Sequence, residues 1–308
     1  MIDIISKRYW YFALSLLIII PGLVSLAVNG LRLSIAFTSG SLLELRFSEL
    51  QGRTLAVADV RQSLGERASD AIIQIGGADT VIIRSKPISQ EAKTEIVKGL
   101  EARYGKSIEL SYETVGPEVS REVTDNARNA VLAASTAILA YITFAFRRVP
   151  KPFRYGIAAI VAMLHDVAVV VGLASIFGVL FNWEIDALFL TALLTVIGFS
   201  VHDTIVVFDR IRENVTRHRG ESFEAIVNHS IVQTLDRSIN TTLTVLLTLF
   251  ALSLFGGVTI RHFVLTLLIG IFSGAYSSIF NAAQILVAWE NGEFGQIIRR
   301  LRGQPAAR

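Results

Sequence analysis

The stretch Gly198 to Asn214, GFSVHDTIVVFDRIREN, decides how this 308-residue sequence is interpreted. It ends an apolar run that begins near Ala187 and is long enough to cross a bilayer. Asp203 lies inside this run, with His202 beside it and Ser200 one turn earlier. A carboxylate within hydrocarbon costs about 3 kcal/mol on insertion scales. Such a residue therefore indicates an ion pathway, a counter-ion pair or a buried structural pair.

The composition is that of a polytopic α-helical membrane protein. Hydrophobic residues make up 52% of the chain, charged residues only 18%, and the mean hydropathy is +0.53. Cysteine is absent, which excludes disulfides, a thiol nucleophile and cysteine-ligated metal. The net charge is +3, and the basic loops indicate membrane topology rather than a nucleic-acid partner.

Apolar runs predict six transmembrane helices. They cover residues 9–28, 127–146, 155–180, 187 onward into the opening stretch, 238–255 and 262–288. The first run has a second interpretation as a cleaved signal peptide, because residues 25–27 resemble a small-residue cleavage site. Its length is nearer to the roughly 20 residues of a span than to the roughly 7–15 of a signal-peptide core.

Residues 30–126 have a different character, with interspersed charges and short patterned segments. The pattern predicts a strand at 42–48, a helix at 54–64, strands at 70–76 and 80–85, a helix at 89–103 and a strand at 107–114. A turn is predicted at 76–79, and Ser89 is the predicted N-cap of the second helix. The order βαββαβ predicts an α+β ferredoxin-like domain, a fold that does not by itself define a function.

The charged loops predict the orientation. With six spans both termini lie on one side, together with the basic 147–154 loop, the polar 209–237 segment and the basic tail. By the positive-inside rule that side is cytoplasmic. The predicted regions are therefore 1–29, the cytoplasmic N-terminus and first span; 30–126, an external domain; 127–290, a membrane domain with spans two to six; and 291–308, a basic cytoplasmic tail.

Polar residues recur at helical spacing on two of the spans. On the fifth span the shared face carries Arg237, Asn240, Thr241, Thr244 and Thr248. On the sixth it carries Gly270, Ser273, Gly274, Ser277, Asn281 and Gln284. For the small and hydroxylated residues the simple interpretation is helix packing, with interhelical hydrogen bonds of about 0.6 kcal/mol each.

Packing alone does not require the carboxylate of Asp203. It is either half of a fixed ion pair, with Arg237 as the partner, or a group that binds and releases a proton. At 1.5 Å per residue Asp203 lies roughly 24 Å from the outer end of its span, in the cytoplasmic half. Arg237 begins its own span from that side, so the two residues are able to meet. The residues themselves leave both hypotheses open.

The third span contributes His165 and Asp166, the latter roughly 17 Å from its cytoplasmic end. His165 and His202 are candidate helpers in a proton relay, although a single histidine in a helix is more often only a hydrogen-bonded neighbour. The sequence has no Walker loop, HExxH, GxSxG or metal-ligand spacing. We therefore expect no enzymatic activity, no cofactor and no metal, and an energy source in a gradient or a partner.

Four segments resemble the SecF branch of the SecD/SecF family, in the resistance–nodulation–division superfamily. They are Phe37 to Leu45 (FTSGSLLEL), Val115 to Val119 (VGPEV), the opening stretch, and Arg237 to Thr241 (RSINT). The six spans and the external βαββαβ domain match as well, so the resemblance covers essentially the whole chain.

The resemblance implies a complex with SecD in the bacterial cytoplasmic (inner) membrane. This complex works beside the SecYEG channel, with YajC and YidC as further partners, and couples proton flow to the outward movement of unfolded secretory polypeptides. The proton-linked acid of the family corresponds to Asp203 and its arginine to Arg237. We add His202, Asp166 and Asn240 as candidate helpers in proton conduction.

Two departures from the family pattern stand out. His202 replaces a usual Asn, and Ser39 interrupts a usual Gly-Gly pair, with Ala36 where an Asp often precedes it. The first leaves the role of His202 open, and the second leaves the loop conformation open. Two other functions remain: a gradient-driven exporter of small molecules or lipids, and a structural subunit whose Asp203 never titrates. One set of six spans predicts the need for a complementary half.

Overall fold

The computed structural model describes residues 3–48, 50, 53–64, 71–147, 151–218 and 220–293. Four predicted features fall partly outside these ranges: the middle of the 147–154 loop, the first residue of the 70–76 strand, residue 219 of the polar 209–237 segment, and the tail from residue 294. The chain forms two compact units, Leu33–Asn129 and the remainder, which comprises the residues up to Arg32 and those from Ala130 onward.

Ten α-helices and four strands are numbered in chain order within the described ranges. They are α1 (Arg8–Asn29), α2 (Ile35–Thr38), β1 (Gly40–Phe47), α3 (Val57–Leu64), β2 (Ile72–Gly76), β3 (Thr80–Ser85), α4 (Gln90–Tyr104), β4 (Ser107–Val115), α5 (Pro117–Ala145), α6 (Pro152–Phe181), α7 (Ala187–Arg217), α8 (Phe223–Phe255), α9 (Val258–Ser277) and α10 (Ala283–Glu290). A 3₁₀ turn, Ile5–Lys7, precedes α1, and a π-helical turn, Ser278–Ala282, joins α9 to α10.

The smaller unit is built on an antiparallel four-stranded sheet with strand order β2-β3-β1-β4. The element order β1-α3-β2-β3-α4-β4 confirms the predicted βαββαβ arrangement and the ferredoxin-like topology. Ser89 accepts a hydrogen bond from the backbone N–H of Ala92, which confirms it as the N-cap of α4. The β2–β3 turn contains Gly77 at φ +76°, as the predicted 76–79 turn requires.

Alternation along β1 builds the core of this unit. Leu43, Leu45 and Phe47 are each at most 2% exposed and point to the side on which α3 and α4 pack. The two helices contribute their own buried residues, Val60, Leu64, Ile96, Leu100 and Tyr104. Because strand side chains alternate, one face of the sheet is covered by helices and the other is free.

Six helices are long and apolar enough to cross a membrane, which confirms the predicted number of spans among the described residues. Helices α6, α7 and α9–α10 are the most buried, and α7 packs against α6, α8 and α9. Helix α1 packs against α6. This contact is close, since a Cβ added to Gly22 would lie 2.8 Å from the Cα of Gly172.

The predicted polar connection at 209–237 is almost entirely helical, which corrects the sequence interpretation. Helix α7 continues to Arg217, and α8 already begins at Phe223. Ion pairs along α7 at helical spacing, such as Arg212–Asp209 at 2.5 Å, support the extension. Asn214 then donates to Ser230 Oγ and fixes the end of α7 to α8. Hydropathy marked where the chain leaves the bilayer, not where its helices end.

Ion pairs join segments that are far apart in the sequence at one end of the membrane unit. Arg8 binds Glu293 at 2.5 Å, and Lys151 binds Glu290 at 2.7 Å. Burial acts to raise the pKa of Glu293, but hydrogen bonds from Arg8, Tyr9 and Asn291 outweigh it and hold that pKa below its usual range. The residues that suggested the basic side by sequence are therefore also structural.

Candidate functional site

Asp203 lies on the inner face of α7, where helical spacing places it with Ser200 and Thr204. Its side chain is 7% exposed. Oδ1 accepts a hydrogen bond of 3.0 Å from Ser238 Oγ of α8. Oδ2 is buried and has no hydrogen-bond partner among the described residues. The carboxyl group is therefore held on one side only.

Arg237 does not form the ion pair that one of the two sequence hypotheses requires. Of the two oxygens of Asp203, one is bonded to Ser238 and the other has no hydrogen-bond partner in the described chain. Successive helical residues point about 100° apart, so an inward Ser238 turns Arg237 away from α7. The Arg237 side chain is exposed in this chain and acts on Asp203 only through space.

The polar stripe of α8 is exposed along its whole length. Its members are Arg237, Asn240, Thr241, Thr244 and Thr248. Thr244 and Thr248 donate to carbonyls four residues earlier in α8 itself, so these hydroxyls bond within the helix. The candidate helper Asn240 lies on this outer face, and His202 is exposed as well. The stripe does not pack within the described chain, so the packing interpretation stays a prediction for this face.

The polar stripe of α9 and the following π-helical turn is buried, and Asp166 lies against it. Asp166 is 1% exposed. Ser200 and Ser277 each donate to Oδ2 at 2.6 Å, and Ser273 donates to Oδ1 at 2.7 Å. His165 Nδ1 lies 3.0 Å from Oδ1. One carboxylate thus joins α6, α7 and α9.

Close packing and an irregular turn accompany this cluster. A Cβ on Gly274 would lie 3.1 Å from Ser200 Cβ, so α7 and α9 approach each other at this glycine. Ser278 opens the π-helical turn and bonds the backbone carbonyl of Ser200 and the hydroxyl of Thr204. Turns of this kind are frequent at functional sites. Within the described ranges, no group of three or more His, Cys, Asp or Glu side chains is arranged to hold a metal ion.

The structure thus brings together different residues from those that the sequence pairs. It places Asp203 with Ser238, which sequence reasoning missed because attention fell on the neighbouring Arg237. It places Asp166 with three serines that the spacing had assigned to packing. Helical spacing identified the inward face of α9 but not that of α8, and it carried no signal for which hydroxyl reaches which carboxylate.

Known proteins match both the sequence and this architecture. A family described as "Protein export membrane protein SecD/SecF, C-terminal" matches residues 96–292. The protein translocase subunit SecF of Thermobaculum terrenum is 52% identical over 320 residues, with 100% of both chains covered. The corresponding subunit of Anaerolinea thermophila is 50% identical, covering 97% of this chain and 98% of its own.

A solved structure matches as well. The crystal structure of SecDF from Thermus thermophilus, described as a translocon-associated membrane protein, superposes with a TM-score of 0.80 and 34% identity. The match covers 94% of this chain and 39% of that longer chain. The family match extends over more than half of the sequence, and the two relatives align over nearly their full length. This chain therefore belongs to the SecD/SecF family of protein export membrane proteins.

Proposed function

We propose that this chain is a subunit of the Sec protein-export machinery that, together with SecD, uses the proton motive force to promote translocation. Its relatives are named as translocase subunits, and the matching crystal structure is of a fused SecDF chain. The protein lies in the bacterial cytoplasmic membrane, with both termini on the cytoplasmic side and residues 30–126 on the external side. SecYEG supplies the channel, YajC and YidC are further partners, and the cargo is an unfolded secretory polypeptide.

The half-bonded carboxyl group of Asp203 is the observation that carries the proton-coupled mechanism. Burying a charged oxygen without a hydrogen-bond donor is costly, and inside a bilayer no solvent replaces the missing donor. In a neutral acid whose proton lies on the bonded oxygen, the oxygen without a partner carries no charge, which lowers the cost of burying it. The site therefore suits a carboxyl group that binds a proton in one state of the cycle and loses it in another.

Arg237 supplies the means of switching between these states. An arginine near a carboxylate favours its ionised form. In the described conformation Ser238, not Arg237, contacts Asp203. A small rotation or tilt of α8 that brings Arg237 inward would favour proton release, and the reverse movement would favour proton uptake. Asp203 is the proton-binding group in this scheme, and Arg237 sets its charge state.

The exposed stripe of α8 supports a complementary half. Asn240 and the threonines beyond it present polar groups at membrane depth, where a lipid-facing surface would be apolar. The six spans of SecD would cover this face and form the route by which protons reach Asp203. We assign Asn240 and His202 to this surface. The unit around residues 33–129 would act outside the membrane, on emerging polypeptide or on the partner's external domain.

The test is secretion in cells whose chain carries Asp203→Asn, with co-purification of SecD measured in parallel. Asparagine retains the shape and the hydrogen bond to Ser238 but does not titrate. We expect normal assembly and loss of the proton-driven part of secretion. Asp209→Asn is the matched control, because it removes an exposed carboxylate from the same helix. It should leave secretion unchanged.

The double variant Asp203→Asn with Arg237→Gln separates the carrier from a fixed pair. A structural pair loses its cost when both charges are removed, because neither remains buried and unpaired. A proton carrier stays inactive, since neutral groups relay no charge. Near-normal secretion by the double variant in a membrane with a proton gradient would refute the carrier mechanism.

A further inference from the structure

The cluster around Asp166 has a property that the proposed proton mechanism does not use. A carboxylate has about four acceptor positions, two on each oxygen. At Asp166 all four are occupied: Oδ2 by Ser200 and Ser277, and Oδ1 by Ser273 and His165. Hydrogen bonds donated to the charged form favour that form. This arrangement is built for an ionised carboxylate.

The imidazole of His165 supports the same conclusion. Its Nδ1 faces Asp166, whereas its Nε2 is buried with no hydrogen-bond partner among the described residues. A neutral ring with its proton on Nδ1 leaves only a lone pair without a partner. A protonated ring would bury an unpaired N–H beside apolar helices, at a greater cost. With its proton on Nδ1, His165 supplies the fourth donor to Asp166.

The cluster also fixes α7 one turn from Asp203. Ser200 precedes Asp203 by three residues, about 4.5 Å along the helix axis. Ser278 adds two bonds on the same side, to the Ser200 carbonyl at 3.2 Å and to Thr204 Oγ at 2.9 Å. This side of α7 is thereby bonded to α6 and to the α9–π-turn segment. Asp203, in contrast, contacts α8.

We propose that Asp166 is a permanently charged positioning residue that, through Ser200, holds α7 so that Asp203 faces α8, and that it exchanges no proton itself. The proposal rests on the proposed function, because Asp203 is taken as the group that titrates. The titratable groups facing Asp166 in the described structure are His165 on its own helix and Tyr276 of α9, whose ring stacks on His165. Helix α7 adds only the Ser200 hydroxyl.

Infrared difference spectroscopy with isotope-labelled aspartate tests the proposal on the full chain in complex with SecD. At pH values above those at which exposed aspartates protonate, acidification should produce one protonated-carboxyl band that disappears in Asp203→Asn and persists in Asp166→Asn. In Asp166→Asn the midpoint of this band should move by about one pH unit, a tenfold change in proton affinity. Proton-driven secretion should fall by up to about 100-fold, the scale of a 1 Å misplacement.

A serine pair keeps the test valid if Asp166→Asn fails to assemble. Ser200→Ala removes the bond on the helix that carries Asp203, and Ser273→Ala removes an equivalent bond from α9. The proposal requires a larger shift of the Asp203 midpoint for Ser200→Ala than for Ser273→Ala. A merely structural role would lower stability in both and leave the midpoint in place.

Two results would overturn the inference. One is a protonated-carboxyl band that disappears in Asp166→Asn, because Asp166 would then titrate. The other is an unchanged midpoint in Asp166→Asn and Ser200→Ala. A failure of the proposed function looks different: secretion would be unaffected by Asp203→Asn, while the midpoint shift caused by Ser200→Ala would still be measured.

Discussion

The chain contains the dipeptide His-Asp twice within its membrane helices, at 165–166 and at 202–203, and the two copies have opposite surroundings. Asp166 has four hydrogen-bond partners, three serine hydroxyls and the histidine beside it. Asp203 has one donor, one oxygen without a partner, and a histidine that is exposed. Both carboxyl groups are almost completely buried, at 1% and 7% exposure. Burial is therefore similar at the two sites, whereas the number of hydrogen-bond donors differs.

The two aspartates also differ in what surrounds them in the chain. Asp166 lies among α6, α7 and α9, so every donor to it is supplied by the same polypeptide. Asp203 lies beside α8, whose polar stripe is exposed. A site completed within one chain is fixed when that chain folds. A site left open towards a partner is able to change when the partner moves.

The largest expected effect is on stability, when each of the two aspartates is replaced in turn by asparagine. In Asp166→Asn, one carboxylate oxygen is replaced by an NH₂ group, which cannot accept the hydrogen bonds that this oxygen accepted. Hydrogen bonds to charged groups contribute about 1.5–3 kcal/mol each. We expect a loss of about 3 kcal/mol for Asp166→Asn and less than about 1 kcal/mol for Asp203→Asn. Thermal unfolding of the purified complex measures both.

Equal losses in these two variants would break the comparison. They would mean that the oxygen of Asp203 without a partner gains donors from SecD, so that both sites are complete in the assembled complex. Measuring each variant with and without SecD locates the source of any such stabilisation. Asp209→Asn again serves as the exposed control.

A smaller effect sharpens the difference in charge state. Ser277→Ala and Ser238→Ala each remove one buried hydroxyl that donates to a carboxyl group. If Asp166 is ionised and Asp203 protonated in the resting complex, the losses should be about 2 and about 1 kcal/mol, the ranges for charged and neutral acceptors. Unfolding at neutral pH gives both values. A loss for Ser238→Ala as large as that for Ser277→Ala would indicate that both groups are ionised at rest.

Much of this architecture could be predicted from the sequence, because it depends on periodicity and composition. Six apolar runs predicted six membrane helices, and patterned segments predicted βαββαβ with Ser89 as an N-cap. These features depend on local preferences and on the length needed to cross a bilayer. The fourth span was predicted to end within the opening stretch and the fifth to begin near residue 238, whereas α7 continues to Arg217 and α8 already begins at Phe223.

The details of the candidate site could not be predicted to the same degree. Spacing showed that Asp203 and Arg237 occupy faces able to meet, and that serines line α9. Whether Arg237 or Ser238 turns towards α7 depends on the rotation of α8 about its axis, which a single sequence does not specify. The four donors to Asp166 come from three helices that are far apart in the chain. Their convergence is a property of helix packing, not of any local pattern.

The smallest expected effect extends the comparison to the unit 33–129, where another residue departs from a local rule. Ser39 has φ +60° and ψ +162°, a conformation that strongly favours glycine. Unlike the oxygen of Asp203 without a partner, this departure serves no site in the described structure. Glycine at this position would relieve backbone strain of about 1–3 kcal/mol. Its greater flexibility in the unfolded chain costs about 0.5–1 kcal/mol. We therefore expect Ser39→Gly to stabilise the unit by about 1 kcal/mol. Slower hydrogen exchange of the β1 amides in the full complex would report this stabilisation, with secretion unchanged.

Ser111→Gly, within the extended strand β4, is the matched control and should accelerate exchange, because glycine there gains no conformational relief. If both variants accelerate exchange, Ser39 is not strained and the loop tolerates serine as well as glycine.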